Sequence, residues 1–312
     1  MEHINGTVVT EFILLGFSIR WELQIFFFVT FTLIYSATVV GNILIMVTVT
    51  FSSTLHSPMY FLLGNLSFLD MCLSTATTPK MIANLLTKYK TISLWGCMAQ
   101  MFFMHFFGGA EMTLLIAMAF DRYVAICKPL HYRTIMNHRL LSGFVMLSWV
   151  IGFIHTTSQM ILTVNLPFCD RNVIDNIFCD LPLVIKLACV ETYTLELFVI
   201  ADSGLLSFIC FILLLFSYTV ILVTVRKRSS AGLSKALSTL SAHIIVVTLF
   251  FGPCIFIYAW PFGRFASNKT LAVFYTVMTP LLNPIIYTLR NQKMQVAMRK
   301  LRFQYVSSSH NF

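Results

Sequence analysis

Asp70, Glu111, Asp121, Arg122 and Asp202 are the residues of this chain whose positions ask for a chemical reason, because each stands within or at the end of a long apolar run. A charged side chain in hydrocarbon costs roughly 2.5–3.5 kcal/mol or more, so such residues turn toward a bundle interior and pair there or mark a functional path. Asp70 and Glu111 fall inside their runs, where two carboxyls can share a proton or hold a cation such as Na⁺. Asn42, Asn283 and Ser or Thr hydroxyls are the alternative partners. Asp121-Arg122-Tyr123 closes another run and has two readings: Arg122 snorkels at a headgroup layer beside a solvated Asp121, or the acid and base form a latch. Met101, His105, Gly108 and Met112 follow i, i+4, i+7, i+11 spacing and so share one helix face. An imidazole between thioethers, with room beside Gly108-Gly109, is an apolar pocket with a few polar anchors, which suits a small organic molecule. No second His, Cys or carboxylate lies at metal-ligand spacing. No nucleophile-base pair, phosphate-binding glycine loop or paired aqueous carboxylates supports an enzyme.

The elements that must position these residues follow from composition. The chain has 312 residues, 58% hydrophobic and 11% charged, against about 25% charged in globular proteins. Its apolar residues gather in runs longer than the roughly 20 needed to cross about 30 Å of hydrocarbon. Seven spans are expected, over 23–50, 58–86, 93–127, 139–163, 192–225, 235–260 and 269–289. Residues 1–22 form a polar segment without the basic and small-residue marks of a signal peptide, 23–290 the membrane domain, and 291–312 a cytoplasmic end. Within that end, 291–303 interleaves Met294, Val296, Ala297, Leu301 and Phe303 with Lys293, Arg299, Lys300 and Arg302, the pattern of a short amphipathic helix on a membrane surface. Residues 306–312 read as disordered. The fold class is therefore all-α: a seven-transmembrane helix bundle with a short amphipathic eighth helix.

The net charge of +9 is distributed as topology. No basic stripe interleaved with aromatics offers a nucleic-acid surface. With the N-terminus outside, Arg122, Lys128, Arg133, Arg139, Arg226, Lys227, Arg228, Lys235, Arg290, Lys293, Arg299, Lys300 and Arg302 fall inside, where Asp121 is the sole acid. That bias orients the chain N-terminus out. Asn5-Gly6-Thr7 is then a glycosylation sequon on the outer side. Cys97, Cys169, Cys179 and Cys189 face an oxidising compartment, and four cysteines allow three pairings.

In order along the chain, Gly41-Asn42, PMYFLLGNLSFLD (Pro58 to Asp70), MAFDRYVAIC (Met118 to Cys127), Ser217-Tyr218, KALSTLSAH (Lys235 to His243) and PLLNPIIYTLRN (Pro280 to Asn291) occupy their expected spans. This ordered set resembles the olfactory receptors, rhodopsin-like (class A) G-protein-coupled receptors, over about 12–303. The resemblance implies Cys97–Cys179 and Cys169–Cys189 disulfides, and a buried polar pair of Asp70 and Glu111 near Asn283; the residues themselves leave Na⁺ or a shared proton there as alternatives, and no other cofactor is expected. It implies that Asp121 holds Arg122 at rest, and that Arg122 swings toward Tyr218 and Tyr287 on activation, with Tyr123, Asn283 and Pro284 part of the switch. The implied partners are a small volatile odorant, a stimulatory olfactory-type G protein acting through cyclic AMP, membrane lipids and receptor-trafficking chaperones. The implied location is the plasma membrane of olfactory cilia. Two departures stand out. Phe250-Phe251-Gly252 replaces the family's Phe-Tyr-Gly, removing a hydroxyl at the pocket floor. Leu240 and Ala242 replace a Cys and a hydroxyl residue.

The expected ligand pocket is lined by Met101, Met104, His105, Gly108, Leu181, Ser203, Leu206, Phe251, Cys254, Ile255, Tyr258 and Thr276. Met104 stands where amine receptors of the wider superfamily carry an acid, so an amine ligand would have to use Asp202. A small, largely apolar molecule anchored by His105, Ser203 or Tyr258 is the expectation. A transporter using Asp70, Glu111 and Asp202 as an ion path is the competing class, disfavoured because no inverted repeat is present. A seven-span receptor for a metabolite is the second.

Overall fold

A computed structural model describes residues 9–17, 19–169, 172–228, 230–259 and 269–309. Seven long helices form the bundle: α1 (Trp21–Phe51), α2 (Pro58–Leu86), α3 (Leu94–Cys127), α4 (His138–Thr163), α5, α6 (Ser230–Ala259) and α7. α5 is assembled from Tyr193–Val199, a π-helical turn at Ile200–Leu205 and Leu206–Arg228. α7 is built likewise from Lys269–Val273, a π turn at Phe274–Met278 and Thr279–Arg290. Six of these are long and apolar enough to cross a membrane, and α6 carries a shorter apolar stretch, His243–Tyr258. The chain is a multi-pass membrane protein.

Burial shows which helix organises the others. α1 buries only Phe31, Thr38, Asn42, Ile45 and Thr48, leaving Phe26, Val29, Leu33 and Val40 exposed. In water such a face would be an aggregation hazard, but against lipid tails it is at home. α3 instead has buried residues along its whole length, from Cys97 to Cys127, and packs against α2, α4, α5 and α6. Local chemistry starts these helices where they start. Ser93 Oγ accepts from the Gly96 N–H at 3.1 Å at the head of α3, and Asn137 Oδ1 accepts from the Leu140 N–H at 3.0 Å at the head of α4, each satisfying an otherwise orphaned donor.

One end of the bundle is capped by a small sheet. The strand β1 (Glu11–Leu14) lies between β2 (Thr91–Ser93), to which it is antiparallel with Phe12 opposite Ile92, and β3 (Val173–Ile174), to which it is parallel with Leu14 opposite Ile174. Phe12 and Leu14 point inward and are fully buried. Gly16, at φ +58°, turns the chain out of β1 toward α1, a left-handed conformation that glycine adopts without strain. Residues 11–14 of the segment read as polar thus form a strand with an apolar inner face. Disulfides Cys97–Cys179 and Cys169–Cys189 tie the segment after α4 to α3 and to itself.

At the opposite end, α8 (Gln292–Ser309) follows Asn291. Met294 and Ala297 are buried, and Tyr60 Oη donates to Asn291 Oδ1 at 2.9 Å, tying this turn to α2. The sequence placed the helix over 291–303 and disorder from 306. The helix instead runs through Ser309, since no Gly or Pro interrupts it once its buried turn is anchored. α6 also begins earlier than Lys235, at Ser230.

α3 and α4 meet at Gly109 and Gly152, where a Cβ on Gly109 would lie 3.2 Å from Gly152 Cα. A Cβ on Gly152 would lie 2.6 Å from Phe106 O and 2.8 Å from Ala110 N, while one on Gly143 would meet nothing within 4 Å. Gly152→Ala is therefore expected to destabilise the protein by about 1–3 kcal/mol through overpacking against backbone. Gly143→Ala should be neutral or stabilising by up to about 1 kcal/mol. Thermal-unfolding midpoints of the two variants in detergent check this, and equal midpoints would refute the close approach.

Candidate functional site

A cavity of about 50 Å³ opens inside the disulfide-bearing half of the bundle. α3 contributes Met104, His105, Gly108, Gly109 and Met112, α5 Ser203 and Ser207, α6 Phe250, Cys254 and Tyr258. Leu73 of α2, His155 of α4 and Tyr275 of α7 complete the wall. α3 supplies a stripe because residues three and four apart share a face. Gly108 carries no side chain to fill the space, and nothing lies within 4 Å of where its Cβ would be.

The polar atoms around this cavity are mostly engaged. Tyr258 Oη donates to Asp180 Oδ1 at 3.2 Å, the Tyr258 and Tyr275 hydroxyls lie 3.3 Å apart, and Tyr275 Oη donates to Met104 Sδ at 3.3 Å. This chain of contacts joins the segment after α4 to α6, α7 and α3. That segment is held from beneath as well, since the Cys179 N–H donates to Gln100 Oε1 at 2.9 Å. Lys269 Nζ at the head of α7 reaches Asp175 Oδ1 at 2.6 Å, an exposed pair worth little by itself. On the other side, His155 Nδ1 lies 3.0 Å from Asp202 Oδ2. The Gln159 amide donates to Asp202 Oδ2 at 2.8 Å and to Ser203 Oγ at 2.6 Å. His105 Nε2 is buried with no partner, its ring edge-on to Tyr258 at 5.6 Å.

Of the residues the sequence proposed for the pocket, Met104, His105, Gly108, Ser203, Cys254 and Tyr258 line the cavity. Met101 and Leu181 do not: they pack with Phe12, Cys97 and Cys179 in the apolar cluster beneath the sheet. Phe251 stacks on Phe211 at 5.9 Å and leaves the wall to its neighbour Phe250. Leu206 and Ile255 are partly buried against the main core. Thr276 spends its hydroxyl on Ala272 O at 2.7 Å. His155 and Tyr275 were missed, although a lone His in the apolar run of α4 was a legible signal.

Midway along the bundle, Asn283 Nδ2 donates to both oxygens of Asp70, at 2.8 and 2.9 Å. Asn42 Nδ2 instead bonds Thr38 O and Pro280 O, and both Glu111 oxygens are buried without a partner. At the far end, Arg122 Nε donates to Asp121 Oδ2 at 3.0 Å, a second guanidinium nitrogen closes on the same oxygen, and Tyr132 Oη donates to Asp121 Oδ1 at 2.7 Å. Burial, reinforced by that carboxylate, raises the Tyr132 hydroxyl above its usual range. Tyr218 Oη lies 2.6 Å from His243 Nδ1 rather than on Arg122. Tyr123 is partly buried against the core, Pro284 packs on Gly41, and the Tyr287 hydroxyl is buried and unpartnered. Asn5 lies outside the described residues.

A family model described as olfactory receptor matches residues 31–304. The chain is 82% identical over 312 residues to human olfactory receptor 4L1, covering 100% of both. It is 62% identical to human olfactory receptor 4K3, over 99% of this chain and 96% of that protein. Human olfactory receptor 4K13 is 63% identical over 96% of this chain and 99% of its own length.

Asp180 makes the cap above the cavity sensitive to pH. Burial pushes its carboxyl up from 3.8 to about 7, against the lowering pull of the Tyr258 hydroxyl and the Leu181 N–H. The folded protein thus holds this proton where the unfolded chain has lost it. Its contribution to stability is full below the unfolded value and disappears as pH rises through about 7. The thermal midpoint of the detergent-solubilised protein should fall between about pH 5 and about pH 8, and Asp180→Asn should flatten that slope. An unchanged slope in Asp180→Asn would locate the titration elsewhere.

Proposed function

The chain belongs to the olfactory receptor family, and from that premise we propose that it binds a small volatile organic molecule in the cavity between α3, α5, α6 and α7. The observation that carries this reading is the cavity itself: apolar walls, a few polar atoms, and a disulfide-tied cap bonded to α6 through Tyr258. Its free volume of about 50 Å³ has room for only a few water molecules, so the ligand is small or displaces side chains on entry. Either way it presses on α6 and α7, the helices the cap grips.

In this reading the cavity end faces outside, with Asn5 glycosylated there, and the Arg122 end faces the cytoplasm. The receptor sits in the ciliary plasma membrane among lipids, delivered by trafficking chaperones. Asp121 and Tyr132 hold Arg122 at rest. Ligand binding draws α6 outward, breaks the Tyr218–His243 bond that ties it to α5, and frees Arg122 to meet Tyr218 and Tyr287 in a cleft that accepts a G-protein helix. The G protein is of the stimulatory olfactory type, and its output is cyclic AMP. Asp70 and Glu111 hold either a sodium ion or a shared proton in the resting state. The fit rests on their donor set, since the Glu111, Asn42 and Asn283 side-chain oxygens are buried with nothing to bond, and hard cations take oxygen ligands. α7, bent where Pro284 removes a backbone donor, is the hinge.

A cyclic AMP reporter screen of volatile panels on cells expressing the chain tests the reading. Arg122→Ala should abolish the response at equal surface expression. His105→Ala and Tyr258→Ala should each weaken potency about tenfold, the loss expected from one buried polar contact. A response undiminished by Arg122→Ala would overturn the coupling mechanism. Potencies unchanged in both pocket variants would overturn the pocket.

A further inference from the structure

Gln159 does not line the cavity, yet its amide decides what one wall of it offers a ligand. The carboxylate of Asp202 only accepts hydrogen bonds, so the amide must turn its NH₂ toward Asp202 Oδ2, 2.8 Å away. The second amide hydrogen then falls on Ser203 Oγ at 2.6 Å. With the opposite amide orientation, Gln159 Oε1 would face a carboxylate oxygen at that distance, which is repulsive. Ser203 Oγ is therefore held as an acceptor, and its own proton has to go elsewhere. Among the described residues that proton meets no acceptor. The Ser203 backbone carbonyl is occupied by Ser207 Oγ at 2.5 Å, within the π turn of α5. Ser203 is 4% exposed and lines the cavity.

The remaining polar groups sharpen the choice. Asp180 Oδ1 accepts the Tyr258 proton, and Tyr275 directs its own to Met104 Sδ or to Tyr258. His105, 6% exposed, presents Nε2 unpartnered on the same wall. The anion an ammonium ligand would need is absent from the lining. Asp202 Oδ2 accepts from Gln159 and lies 3.0 Å from His155 Nδ1, Asp180 stands behind Tyr258, and Glu111 lies about a turn further along α3 than Gly108. An ammonium group has donors only, and an unpaired cation in an apolar cavity is costly.

We propose that the cavity selects neutral molecules carrying a carbonyl-type oxygen, received by the Ser203 hydroxyl, and turns away amines, with Gln159 and Asp202 as positioning residues that aim the Ser203 proton. This rests on the reading of the cavity as the odorant site and adds the ligand class to it.

The test uses shape-matched triplets: a saturated ketone, the alkene with CH₂ in place of the carbonyl oxygen, and the corresponding amine. Cyclic AMP potencies are measured on wild type, Ser203→Ala and Asp202→Asn. In wild type the ketone should exceed the alkene by about tenfold, and the amine should be weakest. Ser203→Ala should bring the ketone-to-alkene ratio close to one. Asp202→Asn should do the same without touching the ligand, because an amide partner lets Gln159 turn its oxygen to the Ser203 proton. The ratio within each variant is insensitive to surface level, so a merely structural role would not move it. Amine potency equal to the ketone's, a ketone no better than its alkene in wild type, or a ratio unmoved in Asp202→Asn would overturn the inference alone. Silence toward every volatile with the protein at the cell surface would overturn the receptor reading, and this inference with it.

Discussion

Hydrocarbon offers a polar group nothing to bond, so every carboxyl, amide and imidazole in this bundle must find its partner within the protein or remain orphaned. The Asn283–Asp70 contact, two hydrogen bonds between α7 and α2, is the plainest case. Removing the amide would strand a buried carboxyl, a loss far larger than the net worth of the bonds. Asn42 extends the same logic to α1 by capping a carbonyl of α7 that proline chemistry leaves available. The helices are thus joined in the middle by polar groups that cannot afford to separate, while their ends are free to differ.

Those two ends share α3. Near its head, Cys97 is bonded to Cys179 and Gln100 to the Cys179 N–H. Near its foot, Asp121 holds Arg122 and Tyr132. Between them lie His105 on the cavity and Glu111 with no partner. α5 and α6 join each other twice along this axis, by Tyr218 with His243 and by Phe211 with Phe251. A two-state element needs contacts that differ between states, and the Tyr218–His243 bond is one that outward movement of α6 would have to break. Phe251 makes its contact by stacking and brings no hydroxyl to that layer.

The helices could be read from the sequence because each apolar run exceeds the thickness it must cross. What could not be read was the rotation of each helix. In water a polar face marks the outside, whereas α1 buries Thr38, Asn42 and Thr48 beside Phe31 and Ile45 and exposes Phe26, Val29, Leu33 and Val40, so the usual rule points its faces the wrong way. The α3 stripe escaped this difficulty because His105, Gly108 and Met112 were chemically distinct. Tyr275 and Leu73 were not, and Met101 was placed on the right face but too close to the cap. The sheet was invisible for another reason: strands of two to four residues carry too little period-two signal, and their pairing depends on segments far apart in the chain.

That sheet imposes an order of assembly. β1 is the central strand, yet it is made before either of its neighbours, and β3 appears only after α4 has been synthesised. Until then β1 has no β3 to pair with, one edge unsatisfied and Phe12 and Leu14 without their apolar bed, a condition that invites foreign strands. Cys97 likewise waits for Cys179 across 82 residues. Closure of the cap therefore waits until α4 has been made, and the newly made chain carries an open strand through the synthesis of its first four long helices and an unpaired thiol from α3 until Cys179 follows.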